Sequence, residues 1–148
     1  MNASAQALSI DMMYKIACIP ALFRAEFSSA QVDLSPWAMD EKAQREYDPD
    51  SLDFGFSFPG WHLQLNCGCV LLQVYLSRSN GDSSSCLRGL KASGHGMHEQ
   101  FWQISDSTDW QFRGKKTPSD ACQQKLKQFF HQVCNLFDHT ALLPQVEK

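Results

Sequence analysis

The chain has 148 residues, a formal net charge of −3, 43% apolar and 20% charged side chains. That is enough for one ordinary domain with a radius of gyration of about 15 Å and a real hydrophobic core. These figures exclude a fibrous chain, wholesale disorder and a polybasic nucleic-acid tail.

The first seven residues are small and polar and are expected to fray. Ser9 is placed to cap a helix running to about Cys18. Ile10, Met13 and Ala17 form one apolar stripe on it, and Met12, Ile16 and Ile19 a second beside the first. Pro20 predicts a kink or an end to that helix. Ser35 followed by Pro36 predicts a second, polar helix of about ten residues before Tyr47, and Tyr47 to Ser51 reads as a turn.

The period then changes to two. Leu52, Phe54, Phe56 and Phe58 alternate with Asp53, Gly55 and Ser57, which predicts a half-buried strand. Pro59-Gly60 suggests a tight turn into a strand carrying Trp61, Leu63 and Leu65. A third strand is expected from Val70 to Ser77, and Asn80-Gly81 marks a turn. Cys86 to Leu90 reads as a short strand and the glycine-bearing stretch Ala92 to Met97 as a loop. His98 to Ile104 reads as a strand with Phe101 and Trp102 on opposite faces, and Trp110 and Phe112 open a last one. Thr117 as N-cap, Pro118 in the first helical position and Asp120 completing a capping box begin a helix over 118–138. Its inner face is Cys122, Leu126, Phe129, Phe130, Val133, Cys134 and Phe137.

The fold expected is α+β: a mostly antiparallel sheet of four to six strands packed against a long C-terminal helix, with short N-terminal helices. One domain spans 1–148, with a helical lead-in over 8–50, sheet over 51–114 and the helix over 118–138. Short links between strands make antiparallel pairing the economical choice, because parallel pairs need long crossovers.

Charge is unevenly spread. Residues 31–60 carry seven acids against Lys42 and Arg45, and residues 110–148 carry six bases against three acids. Opposed patches of this kind can face each other across a partner or sit in water as separate solvated faces.

Six cysteines, at 18, 67, 69, 86, 122 and 134, are too thinly spread for a disulfide-dependent scaffold and read mainly as buried free thiols. The apolar run Ile16 to Phe23 follows Asp11, is interrupted by Pro20 and precedes Arg24 and Glu26, which is unlike a secretory leader. No stretch approaches the roughly 20 apolar residues of a membrane span. A cytoplasmic protein without membrane contact is the expectation.

Candidate chemistry is sparse. Cys67, Cys69, His95 and His98 are the proper donor types for tetrahedral zinc, but one residue between the cysteines is less than the usual two to four. His131 and Cys134 share a helix face and lack obvious partners. A cysteine nucleophile would need a histidine and an oxyanion hole, and no motif sets that geometry. Glycines 89 to 96 lack the strand-turn-helix setting of a phosphate loop. Trp102, Trp110 and Phe112 beside Arg113, Lys115, Lys116, Lys125 and Lys127 resemble a surface for stacking single-stranded bases, against an overall negative charge.

A binding pocket, if the chain has one, is expected where aromatic walls meet titratable groups: Trp61, His62, His95, His98, Trp102 and Trp110. The reading that covers most residues is a non-catalytic protein-interaction or assembly domain, with a protein partner or self-association and no cofactor. The alternatives are a Cys/His metal-binding or small-molecule enzyme and a single-stranded nucleic-acid binder.

Overall fold

The computed structural model describes residues 2–6, 9–36, 51–78 and 85–146. Its elements are α1 (Ile10–Glu26), β1 (Gln31–Asp33), β2 (Ser51–His62), β3 (Cys67–Arg78), β4 (Ser85–His95), β5 (Gln100–Ser105), β6 (Arg113–Gly114) and α2 (Asp120–Val146). Among the described residues the strands form one six-stranded antiparallel sheet whose spatial order is the chain order. With its two helices the architecture is α+β.

The half-buried strand expected of β2 is covered on both faces from Ser51 to Phe56: Ser51 and Asp53 are fully buried beside the apolar row, with Ser51 Oγ donating to Asp53 Oδ1 at 2.8 Å. Leu52, Phe54 and Phe56 of β2 stand opposite Val74, Leu72 and Val70 of β3, and Leu72 and Val74 stand opposite Ala92 and Leu90 of β4. Every one of these is buried, as are Trp102 and Ile104 of β5. Phe23 of α1 stacks on Phe56 with ring centres 3.9 Å apart and meets Phe129 of α2 edge-on at 5.2 Å. One apolar cluster thus joins the sheet to both helices. Burying each such ring contributes roughly 1.5–3 kcal/mol.

The C-terminal helix follows its pattern. Cys122, Leu126, Phe129, Phe130, Val133 and Phe137 are buried, while Gln124, Lys125, Gln128 and Asn135 are exposed. Cys134, expected inside with them, is only half-buried. The cap lies two residues later than expected. Ser119 Oγ accepts from the Cys122 N–H at 3.3 Å, and the Thr117 carbonyl accepts instead from Asn66 Nδ2 at 2.7 Å.

The first helix departs from expectation twice. Pro20 does not end it: α1 runs through to Glu26. Burial of Ile16, Ile19 and Phe23 on either side of the proline offsets the hydrogen bond its ring removes. Of the two apolar stripes, Met12, Ile16 and Ile19 face the core, whereas Ile10, Met13 and Ala17 are exposed. The cap itself is as read, Ser9 Oγ accepting from the Met12 N–H at 3.0 Å. The polar helix expected after Ser35-Pro36 lies outside the described residues, and the lead-in contains strand β1. Nor is the N-terminus simply frayed. Ala3 is buried, and the Ser4 N–H donates to the Leu34 carbonyl at 2.9 Å.

Two turn readings are also corrected. Pro59-Gly60 does not close a hairpin. Gly60, at φ 76°, bulges β2 between Ser57 and His62, past the residues that pair with β1. The reversal comes at residues 63–66, where Asn66 takes a left-handed φ of 55° and its N–H donates to the His62 carbonyl at 2.9 Å. The second correction is at residues 92–95, which are strand, not loop. Gly94 is there because the Trp102 indole lies across it: a Cβ would sit 2.2 Å from the ring. That indole donates through Nε1 to the Leu65 carbonyl at 2.7 Å, tying β5 to the 63–66 turn.

Candidate functional site

Of the residues expected to form a site, the Trp61 ring and the His95 carbonyl both border Gly68. Trp102 is fully buried in the core. Trp110 stacks on Phe130 of α2 at 5.2 Å, with its backbone in the left-handed region at φ 59°. Trp61 is partly exposed and meets Phe101 edge-on at 5.4 Å. His98 is exposed. His62 packs against Phe58 and Phe27, and its Nδ1 accepts from the Leu65 N–H at 3.1 Å. Burial, with Lys125 adding to it, holds the His62 imidazole below its usual pKa.

Of the four metal candidates, Cys69 and His95 do come together, as direct partners across β3 and β4. Ser93 Oγ lies 2.7 Å from His95 Nε2. Burial and then Lys91 lower the His95 pKa, while burial and then Asp33 raise that of Cys69. Both shifts favour the neutral forms. Cys67 is fully buried, its thiol pushed up to about 12 by burial and by the neighbouring Cys69. A thiol so far from ionising is a poor nucleophile. Among the described residues no three His, Cys, Asp or Glu side chains gather as a metal site.

His131 and Cys134 line a cavity of about 210 Å³ with Trp110, Lys127 and Phe130. The basic rim is spread out: Lys115 pairs with Glu99 at 2.7 Å, Lys116 lies over Phe101 and Lys125 over Phe27. The Trp102 ring that base stacking would need faces the core and touches Phe112. All six cysteines are free thiols, Cys86 exposed and Cys67 and Cys122 buried. No helix among the described residues is long and apolar enough to cross a membrane.

A different place has the make-up of a site. Lys15 falls on the same side of α1 as Met12, Ile16 and Ile19, so its stem runs inward and only 7% of its side chain is exposed. Its ammonium is held by Asp11 at 3.1 Å, one turn earlier in the order that suits the helix dipole, and lies 5.1 Å from the Phe137 ring centre. A lysine this buried requires such partners. Between the two helices opens a groove of about 520 Å³, walled by Tyr14, Cys18, Ala21, Leu22 and Leu136, with Asp11, Lys15, Gln132 and Asn135 supplying polar atoms. A hydrogen bond to Cys18 holds the Tyr14 phenol above its usual pKa. Gln132 Oε1 is buried in the groove wall with no donor among the described residues. Such an orphan costs about 1–3 kcal/mol.

Sequence reasoning did not find this groove, because its walls come from opposite ends of the chain. One signal was available: a lysine set into an apolar helical stripe.

A family model described as a domain of unknown function matches residues 4–139, which take in every strand, all of α1 and most of α2. No curated protein and no solved structure matches the chain.

Proposed function

The chain belongs to that family of domains of unknown function, and we propose that it is a non-catalytic protein-interaction or assembly domain that docks through the outer stripe of α1. The observation that carries this reading is the exposure of Ile10 (85%), Met13 (48%) and Tyr14 (65%) on successive turns of one helix. Side chains three and four apart share a face. Large apolar groups collected in this way mark contact surfaces more often than scattered ones do. Covering the isoleucine alone would contribute roughly 1.5–3 kcal/mol.

Self-association through this stripe is the simplest form of the proposal, and it needs no cofactor. A reducing compartment such as the cytoplasm suits six free thiols. The Cys/His and base-stacking alternatives rank lower, since Cys67 and Trp102 are both sealed in the core.

Sedimentation velocity over a wide concentration range tests it, comparing the full chain with an Ile10→Glu/Met13→Glu variant. The expected result is a dimer that the variant loses while keeping its fold. For a foreign partner, a photo-crosslinker at Met13 in cells is compared with one at Gln124. An adduct specific to Met13 and abolished by Ile10→Glu supports the reading. A monomer with no Met13-specific adduct overturns it.

A further inference from the structure

We propose that the groove between α1 and α2 is a binding site for an uncharged, mainly apolar small molecule of two or three rings that carries one hydroxyl or N–H donor. The proposal does not rest on the docking reading, whose stripe is tested at Ile10 and Met13; Tyr14 borders both surfaces.

Size comes first. A buried apolar cavity that takes one benzene has a volume of about 150 Å³. The groove, at about 520 Å³, has room for two or three such rings and lies within the usual range of ligand pockets. Its walls are Tyr14, Cys18, Ala21, Leu22 and Leu136, so the body of the ligand is apolar.

Charge decides the next feature. The lining holds one cation and one anion, Lys15 and Asp11, already paired with each other at 3.1 Å. The ammonium is also occupied by the Phe137 ring. A carboxylate entering here would meet Asp11, and an amine would meet Lys15. Neither gains a free counter-charge in compensation for its lost hydration. The site therefore selects a neutral molecule.

Hydrogen bonding supplies the last feature. Gln132 Oε1 is the buried side-chain acceptor left without a donor among the described residues, and Gln132 belongs to the groove wall. Rotation about its broad terminal torsion brings the amide oxygen to a ligand hydroxyl or N–H. Binding then satisfies a group that the empty fold leaves unsatisfied.

Four naphthalene probes of one size separate these features: 1-naphthol, 1-methoxynaphthalene, 1-naphthoate and 1-naphthylmethylammonium. Each is titrated into the full-length chain and followed by amide chemical shifts. The expected result is saturable binding of 1-naphthol with shifts centred on Cys18, Ala21, Leu22 and Gln132. The methoxy compound should bind several-fold more weakly, and both ions at least tenfold more weakly. Ala21→Trp, a substitution at an exposed helical position on the rim, should abolish binding and leave the remaining spectrum folded. Gln132→Leu should erase the advantage of the naphthol over its methyl ether. No saturable shift up to millimolar probe would overturn the site, as would shifts centred elsewhere or binding that survives Ala21→Trp. An ion binding as well as the naphthol would overturn its neutrality. Equal affinity of naphthol and methyl ether would overturn the donor.

Discussion

The two helices solve the same problem with different sequences. α2 is polar on one side and apolar on the other, so Leu126, Phe129, Phe130 and Val133 have one place to go. α1 is apolar nearly all round: it buries Met12, Ile16, Ile19 and Phe23 and still leaves Ile10 and Met13 in water. Amphipathicity alone accounts for α2. For α1 the inward side is chosen by what it meets, the Phe56 and Phe129 rings around Phe23. An apolar stripe that the core does not use is available for something else, and the proposed docking face follows from that surplus.

The sharpest way to break this comparison is to truncate the two inner faces. Phe129→Ala on α2 and Phe23→Ala on α1 are each expected to cost about 3–5 kcal/mol in urea unfolding. A cost below about 1 kcal/mol for Phe23 would show that α1 is an ornament on a fold held by α2.

Gly94→Ala extends the comparison to the sheet beneath the helices. Its Cβ would collide with the Trp102 indole, and a loss of about 1–3 kcal/mol is expected with Trp102 fluorescence shifting to the red. Next come the caps. Ser9→Ala and Ser119→Ala each remove an oxygen that accepts from the first turn, and each should cost about 1 kcal/mol in the same assay.

A smaller effect comes with pH. His62 and His95 both have pKa values lowered in the folded state below the ordinary 6.5. Their neutral forms are therefore the ones the fold favours. Stability from them is complete above pH 6.5 and is lost as pH falls from there through the folded-state values, where the unfolded chain takes up protons first. The urea midpoint should fall between pH 7.5 and 5.5, and a His62→Gln/His95→Gln variant should show a flatter profile. The smallest effect belongs to the outer stripe: Ile10→Ser should change monomer stability by no more than about 0.5 kcal/mol. A larger loss would mean that this stripe is already packed.

Much of the fold was legible where one physical demand ruled a segment. The alternation of Leu52, Phe54, Phe56 and Phe58 marks the strand and its apolar face, though not the burial of Ser51 and Asp53 on the other side, and the 122–137 stripe answers to a helix against a core. Legibility failed where residues answer to distant neighbours. Gly94 looked like a loop glycine until Trp102, eight positions on, was seen lying across it. Pro59-Gly60 looked like a turn, but the chain reverses beyond it, at a turn whose residues Gln64 and Asn66 bond to the approach to α2. The candidate site was harder still. His62, His95, Trp61 and Trp110 are titratable or aromatic, and each is engaged by neighbours of its own: Phe58 and Phe27, Ser93, Phe101 and Phe130. The groove depends on α1 lying beside α2, so that Leu22 and Leu136 line one space, which no local pattern records.

The order of the sheet has a consequence for how the molecule is made. Each strand pairs with its neighbour in sequence, so the meander can grow hairpin by hairpin as the chain emerges. Until α2 follows, however, Phe23 lacks its edge-on contact with Phe129, and only α1 stands against Phe56. The nascent sheet therefore carries part of its apolar face open until α2 is made. That interval, not the finished fold, is when its apolar surface is most open to wrong contacts.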